Sequence, residues 1–480
     1  MSFLSGDKGW KRLFLDGDSG FHIRIGELIL QTGQVPTTDP FSFSLPGKDW
    51  FAFEWGAEVL QASLNQAWGL KGVAIMTGLI LAFTFVLVFL FCLWRGANGG
   101  ISLLLTFLTV NAASIHFHAR PHIFTLLLLV IAAWLLEQDR RKPSRYVWLL
   151  IPITVLWANL HGAFPILFVF IGLLVVGLLA EGWLDPKLRP EKYRHAFRFG
   201  LLGFACLAAS LINPYGYHVH QHILETMRAK WLIAIVDEFK SPSFRSEQLM
   251  VFMILLFLGL ASLGRLVARR KLCEAAIILF FAWASLTSVR HVPLFVLMAS
   301  PIMAVELTAL WASFAATRPH TSVFRILDDL SNKLSAGNRH PSLWALVFVF
   351  YLCIASAMVW PKDLSDETFP TALVTRHQSP LASARVFTTD QWGGYLIYRN
   401  FPTQKVFIDG RHNYYGEKIV TEMVQLLGGA VETQKLLDKY QFEFVMVPPE
   451  AALATILRML PAWTLIDQDK QALLFQRARS

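Results

Sequence analysis

The chain has 480 residues, 54% of them hydrophobic and only 16% charged, with a mean hydropathy of +0.46. That composition lies far from the averages of soluble domains and marks a polytopic membrane protein. The net charge of +9 does not point to nucleic acid, because the basic residues form short runs between apolar spans, as orientation in a bilayer requires.

The first 69 residues contain no spanning segment. They open with "LFLDGDSGFHIRIGELILQTGQVPTTDPFSF" (13–43), which lacks the basic start, apolar middle and small-residue cleavage site of a signal peptide. Phe21, Ile25, Leu28 and Ile29 recur at helical spacing, which predicts an amphipathic helix over 19–32 lying at the membrane surface. Asp18 stands at its N-cap position and His22 one turn further on. A Pro- and Gly-bounded loop follows, and "FEWGAEVLQASLNQAW" reads as a second surface helix. Nothing apolar precedes this segment, and Lys8, Lys11 and Arg12 oppose its export. A helix of about 20 apolar residues upstream of Met1 is therefore expected.

Residues 70–360 read as the transmembrane domain. Apolar runs near 70–94, 101–115, 121–136, 147–158, 163–180, 199–212, 249–264, 273–288, 292–313 and 343–360 give about ten helices, several of them short for a bilayer. "EQDRRKPSRY", "DPKLRPEKYRHAFR", "GRLVARRKL" and the 314–342 stretch are rich in Lys and Arg and fall on alternate connections. The positive-inside rule makes these cytoplasmic. "HFHARPH", "NLHG", the 213–248 loop and "SVRHV" then face outward, together with residues 1–69 and the tail. Cys92, Cys206, Cys273 and Cys353 lie in or at the ends of apolar runs, without metal spacing, and read as packing residues.

The outward connections are short, yet they carry His116, His118, Arg120, His122, Asn159, His161, Arg290 and His291. Ionisable groups at membrane helix ends are costly unless they snorkel, pair or function. Each alone reads as a snorkelling or capping group; the set on one face predicts a shared polar cavity.

After Trp360 the pattern changes to soluble α/β, predicting a small outward domain over 361–480. "ARVFTT", "KVFIDG" and "FEFVMVPP" read as strands, "WTLIDQDKQALLFQR" as a hairpin, and "GEKIVTEMVQLLGG" and "VETQKLLDKY" as helices. Asp409 and Arg411 follow a predicted strand, where ligand-binding residues often sit. An internal Asp–Arg pair closing a turn accounts for them equally well. The glycines of "WGGYLIY" lack a phosphate-loop context.

The layout of acidic loop, surface helix, Pro-bounded loop, second surface helix and many spans resembles the GT-C superfamily of glycosyltransferases. Protein O-mannosyltransferases and aminoarabinose transferases belong to it. "DGDSGFHIRIGE", "DPFSFS", "EWGAEV", "WANLHGAF", "INPYG" and "RHVPLF" look like a bacterial branch of that superfamily, over residues 13 to about 300. Two departures stand out: the family's Asp-Glu pair is Asp18-Ser19 here, and the family's first transmembrane helix is missing.

The resemblance implies sugar transfer from a polyprenyl-phosphate donor to a lipid, glycan or protein acceptor at the outer face of the inner membrane. It implies Asp18, or Asp16 beside it, as the base for the acceptor's proton. The plain readings are an N-cap for Asp18 and a turn former for Asp16. A departing phosphate needs positive charge or a metal rather than an acid; Arg120, Arg290, His118 and His291 are the candidates. His22, Asp39, Glu54, His116, Asn159, His161, Asp237 and Glu238 are expected around the acceptor. No cofactor is demanded, and a divalent metal ion stays open. Three rivals remain. A transporter would need two repeated halves and a midplane site. A zinc or copper site would need "HFHARPH" to converge with Asp16 or Asp18. An inactive scaffold would need no intact acid–base set.

Overall fold

The structure, a computed structural model, describes residues 9–337 and 360–478. Two short helices precede the bundle, α1 (Asp18–Thr32) and α2 (Trp55–Trp68). Helix α1 is not a helix resting on a membrane surface. Its Asp18, Ser19 and His22 are buried along with Phe21, Ile23, Ile25 and Ile29. Small residues explain this. A Cβ on Gly26 would lie 2.0 Å from the Glu58 carbonyl oxygen of α2, so only glycine lets the two backbones meet. The helix is therefore walled on more faces than its apolar stripe announces.

The bundle follows as α3 (Leu70–Trp94), α4 (Gly99–Ala113), α5 (His122–Arg141), α6 (Leu150–Leu160), α7 (Ile166–Leu184) and α8 (Arg189–Ala209). Two outer-loop helices, α9 (His218–Arg228) and α10 (Trp231–Ile235), come next, then α11 (Glu247–Ala268), α12 (Leu272–Thr287), α13 (Val292–Ala316) and the amphipathic α14 (Val323–Gly337). Among the described residues, six helices are long and apolar enough to cross a membrane: Leu70–Trp94, Gly99–His116, His122–Arg141, Ile166–Leu184, Glu247–Ala268 and Val289–Ala316. The predicted spans at 147–158 and 273–288 form the shorter apolar helices α6 and α12, and α8 opens on the polar run "RPEKYRH". The expected span 343–360 lies outside the described residues, apart from Trp360.

The connections sort by chemistry. At one end, arginines are tied to buried acids: Arg140 and Arg265 of the basic loops to Glu274 at 2.6 Å and Glu306 at 3.1 Å, and Arg95, which follows α3, to Glu137 at 3.3 Å. At the other, the histidine- and arginine-bearing connections meet residues 9–69 and the tail. Impermeant thiol reagents should therefore label single cysteines at the exposed Glu450 and Lys187 from opposite sides of the membrane, and labelling from one side only would refute the orientation.

The tail comprises α15 (Thr371–Arg376), α16 (Gln378–Leu381), β1 (Val386–Phe387), α17 (Asp390–Asn400), α18 (His412–Leu427), α19 (Thr433–Lys439), β2 (Phe444–Val447), α20 (Ala452–Met459), β3 (Trp463–Gln468) and β4 (Leu473–Arg477). Its sheet runs β1-β2-β4-β3, with β1 parallel to β2 and the other pairs antiparallel. Strand β2 is buried throughout, as a central strand should be. The predicted strand "KVFIDG" is not in this sheet. Val406 instead donates to Phe41 O (2.9 Å) and accepts from Phe43 N–H (3.0 Å), so its backbone pairs with the first loop. The "WGGYLIY" run is part of α17. A Cβ on Gly394 would sit 2.5 Å from Gly17 O, and one on Gly20 would sit 2.5 Å from Gly394 O. Gly394 and Gly20 thus form a packing seam that sets the tail against the start of α1, while Gly393 packs on the Ile408 carbonyl within the tail.

Candidate functional site

Arg120 leaves the turn between α4 and α5 and meets three carboxylates. Its Nη1 lies 2.6 Å from Asp16 Oδ2 and 3.2 Å from Glu238 Oε1, and its Nη2 lies 2.9 Å from Asp18 Oδ2. Asp18 is thus the first residue of α1 rather than its cap: Gly17 is the cap, and it makes no side-chain bond. Asp16 supplies the turn chemistry, accepting the Asp18 N–H at 2.9 Å. Asp18 Oδ1 is buried without a hydrogen-bond partner among the described residues. Beside it lies Gly410 of the tail, where a Cβ would come within 1.9 Å of that oxygen.

Three acids sharing one guanidinium cannot all be charged cheaply. Burial, helped by Asp16, Glu238 and Asp409 against the pull of Arg120, pushes Asp18 up to about 8. Burial would also raise Glu238, but Arg120 and the neighbouring cations hold it down at about 2.

These groups open onto a cavity of about 580 Å³ walled by α1, the first loop, the 213–248 loop, Arg290 and the tail. The volume falls within the range of small-ligand sites. A smaller space of about 90 Å³ continues between Arg120, Glu238 and Arg290 past His116, His122, His161 and His291. Arg290 stacks on Phe239 at 4.7 Å and, among the described residues, makes no hydrogen bond or ion pair. Glu54 lies 3.6 Å from His22 Nε2, 3.4 Å from His161 Nε2 and 3.4 Å from the Gly162 N–H. His22 Nδ1 is in turn 2.9 Å from Glu58 Oε1. Burial lifts Glu54 to about 7 and, with Glu54 beside it, lifts Glu58 well above the usual value. Burial and nearby cations hold His22 well below the usual imidazole value and His161 at about 3. His22 is therefore a neutral ring hydrogen-bonded to Glu58 through Nδ1, with Glu54 near its Nε2 at a distance too long for a hydrogen bond.

The expected set divides. Asp16, Asp18, Arg120 and Glu238 meet, and His22, Glu54, His161, Arg290 and Asp237 share the large cavity. Asp237 sits at its rim, bound to Lys240 at 2.7 Å. His116 and His291 line only the smaller space; His291 Nδ1 is also 3.1 Å from the Ala284 carbonyl, closing the end of α12. His118 lines neither space. Asn159 is a structural tie, accepting from Trp55 Nε1 (2.7 Å) and donating to the Ile212 carbonyl (2.8 Å). Asp39 is held away from the cavity by Ser42 and by Arg411 Nη1 (2.8 Å). Arg411 also pairs with the fully buried Asp409 (2.6 Å), an internal pair that extends to the first loop, and it lines the large cavity as well. Packed over the Trp50 ring at 4.7 Å, Arg411 pins the tail to residues 39–50.

Glu58 and the His412–Asp390 pair escaped sequence reasoning. Glu58 lies one helical turn from Glu54 on α2, a spacing that puts both on one face. His412 reaches Asp390 at 2.9 Å, and that carboxylate raises it despite its burial; these residues are far apart in sequence and carried no signal.

Among the described residues no three His, Cys, Asp or Glu side chains are arranged to hold an ion. His122 Nε2 donates to the His116 carbonyl at 2.6 Å, and the carboxylates that a cation would need converge on Arg120.

No family profile matches the sequence, and no curated protein is similar to it. Solved structures are. The apo oligosaccharyltransferase of Archaeoglobus fulgidus superimposes with a TM-score of 0.53 at 10% identity, over 90% of this chain and 65% of that one. The oligosaccharyltransferase AglB of the same organism, in complex with an inhibitory peptide and a dolichol-phosphate, gives 0.54 at 11% identity over 98% and 71%. A third structure, tethered to an acceptor peptide containing the NVT sequon, gives 0.51 at 12% over 92% and 65%. At such identities the likeness is one of fold alone, and the chain spans 65% of the first of these enzymes.

Proposed function

We propose that this chain is a membrane glycosyltransferase that moves a sugar from a polyprenyl phosphate to an acceptor at the outer face of a bacterial inner membrane. One observation carries the reading: a cavity at one end of the helix bundle is lined by Asp18, the first residue of α1, by Arg120, which Asp18, Asp16 and Glu238 clamp, and by a second guanidinium, Arg290, left open. The fold is that of enzymes one of which has been captured with a dolichol-phosphate.

The chemistry distributes as follows. The acceptor's nucleophile attacks the anomeric carbon, the bond to phosphate oxygen breaks, and the polyprenyl phosphate leaves with the electron pair. Asp18 takes the acceptor's proton. A carboxyl lifted toward the working pH is a stronger base once ionised than an ordinary aspartate. Asp16 and Glu238 keep Arg120 in place, and Arg290 meets the phosphate charge with donors that no protein carboxylate occupies. The acceptor is a lipid, glycan or protein; over the cavity, Asn413 Nδ2 donates to Thr226 Oγ1 at 2.6 Å and joins α18 to the 213–248 loop.

The test is transfer from a radiolabelled polyprenyl-phosphate sugar by the full chain in nanodiscs. Arg290→Ala should raise the donor KM about 10–100-fold, the worth of a hydrogen bond to a charged group, with a smaller effect on turnover. An unchanged donor KM would remove Arg290 from the phosphate.

A further inference from the structure

Among the carboxylates facing the large cavity, Glu54 stands apart. Asp18 and Glu238 are on Arg120, Asp390 is on His412, and Asp237 is on Lys240 at the rim. Glu54 touches two histidines and one backbone N–H, and no lysine or arginine. It is the counterpart of Arg290, whose guanidinium has no carboxylate partner among the described residues. Arg290 touches neither acid: Glu238, already held by Arg120, is the stronger charge facing it and Glu54 the weaker one, and Glu54 is the one of the two that no arginine holds. An open cation and an open carboxylate in one cavity suit a ligand that carries an anion and hydroxyl groups on neighbouring atoms, which describes a sugar bonded to a phosphate.

We infer that Glu54 is the residue that reads the sugar: its carboxyl binds hydroxyl groups of the unit whose phosphate lies on Arg290. The inference rests on the proposed function and adds which wall of the cavity recognises which half of the donor. The groups behind Glu54 fix its orientation. His22 comes from α1 and is backed by Glu58 of α2, and His161 comes from the end of α6, where Thr125 Oγ1 holds its Nδ1 at 2.8 Å. Both rings are neutral, and the Gly162 N–H accompanies them, so Glu54 is aimed without being neutralised. Besides these groups, Arg120 and Arg290 also bear on its charge. A carboxyl that titrates near neutrality both accepts from and donates to hydroxyls, which themselves do both. Phe53, next to it in sequence, lies 5.4 Å from the His222 ring and offers an apolar surface in the same cavity.

The experiment compares two probes on the full chain in nanodiscs: polyprenyl phosphate without sugar, and polyprenyl-phosphate hexoses with their monodeoxy analogues. Glu54→Gln should weaken the sugar-linked lipid about 10–100-fold and leave the sugar-free lipid within about twofold. The wild type should discriminate against at least one deoxy analogue, and Glu54→Gln should not. Arg290→Ala should weaken both lipids alike. Retained sugar-free binding proves that Glu54→Gln is folded. Equal loss for both lipids in Glu54→Gln, or no loss for either, would overturn the assignment and leave the proposed function standing. Failure of the wild type to bind either lipid would overturn both.

Discussion

Asp18→Asn is expected to cut sugar transfer about 10²–10⁴-fold, the usual worth of a general base, while donor affinity changes little. Asparagine keeps the size of the side chain, and its oxygen can still accept from Arg120. Asp16 and Glu238 continue to hold that guanidinium at 2.6 and 3.2 Å, so the phosphate side of the cavity survives. What is lost is the capacity to take a proton. The pH profile carries the same information. Asp18 is raised to about 8 by burial, and a base works only when ionised. The wild-type rate should therefore climb with pH through about 8 and fall away below it, and the residual rate of Asp18→Asn should lack that limb. Turnover near the wild-type level would assign the proton elsewhere. Asp16→Asn should differ: Asp16 Oδ1 accepts the Asp18 N–H at the start of α1, so its loss disturbs where Asp18 sits as well as charge.

The division between what the sequence disclosed and what it hid follows physical range. Apolar runs and basic loops are local signals set by the bilayer, and they located α3 to α5, α7, α11 and α13 to within a few residues. The acidic pair stood out only through the resemblance, because by residue type and position alone Asp18 read as an N-cap and Asp16 as a turn former. Its true partner, Arg120, was visible only as one of several polar groups on outward loops, because a contact spanning about a hundred residues leaves no periodicity. Asp18 read as an N-cap because the type and position fit; Gly17 took that place once Arg120 claimed the carboxylate. "KVFIDG" had strand composition, and its backbone does pair, but with Phe41 and Phe43 of the first loop rather than with the tail's own sheet. The "WGGYLIY" glycines looked like a failed phosphate loop. Gly394 is required where α17 and the start of α1 approach too closely for any side chain, and Gly393 where α17 meets the Ile408 carbonyl of the tail; the first constraint joins segments some 370 residues apart.

Arg120→Ala should be the most damaging single change at the site. Three carboxylates from two distant segments would lose their shared counter-charge, and uncompensated buried charges cost about 3–5 kcal/mol. Protonation would relieve part of that cost, so the acids would rise together and Asp18 could no longer serve as a base near neutrality. Activity should fall at least about 10³-fold, beyond the effect of removing one preorganised donor from a departing anion. Arg120→Lys should rescue little. Nη1 and Nη2 address different carboxylates at 2.6, 2.9 and 3.2 Å, a planar fork that a single ammonium cannot reproduce. The missing group can be supplied from solution. Guanidinium at non-denaturing concentration should restore part of the activity to Arg120→Ala and none to Asp18→Asn, because only the first variant contains a hole of that shape and charge. Transfer by Arg120→Ala within about tenfold of wild type, or rescue of both variants alike, would mean that the three-way clamp holds the fold together and takes no part in the reaction.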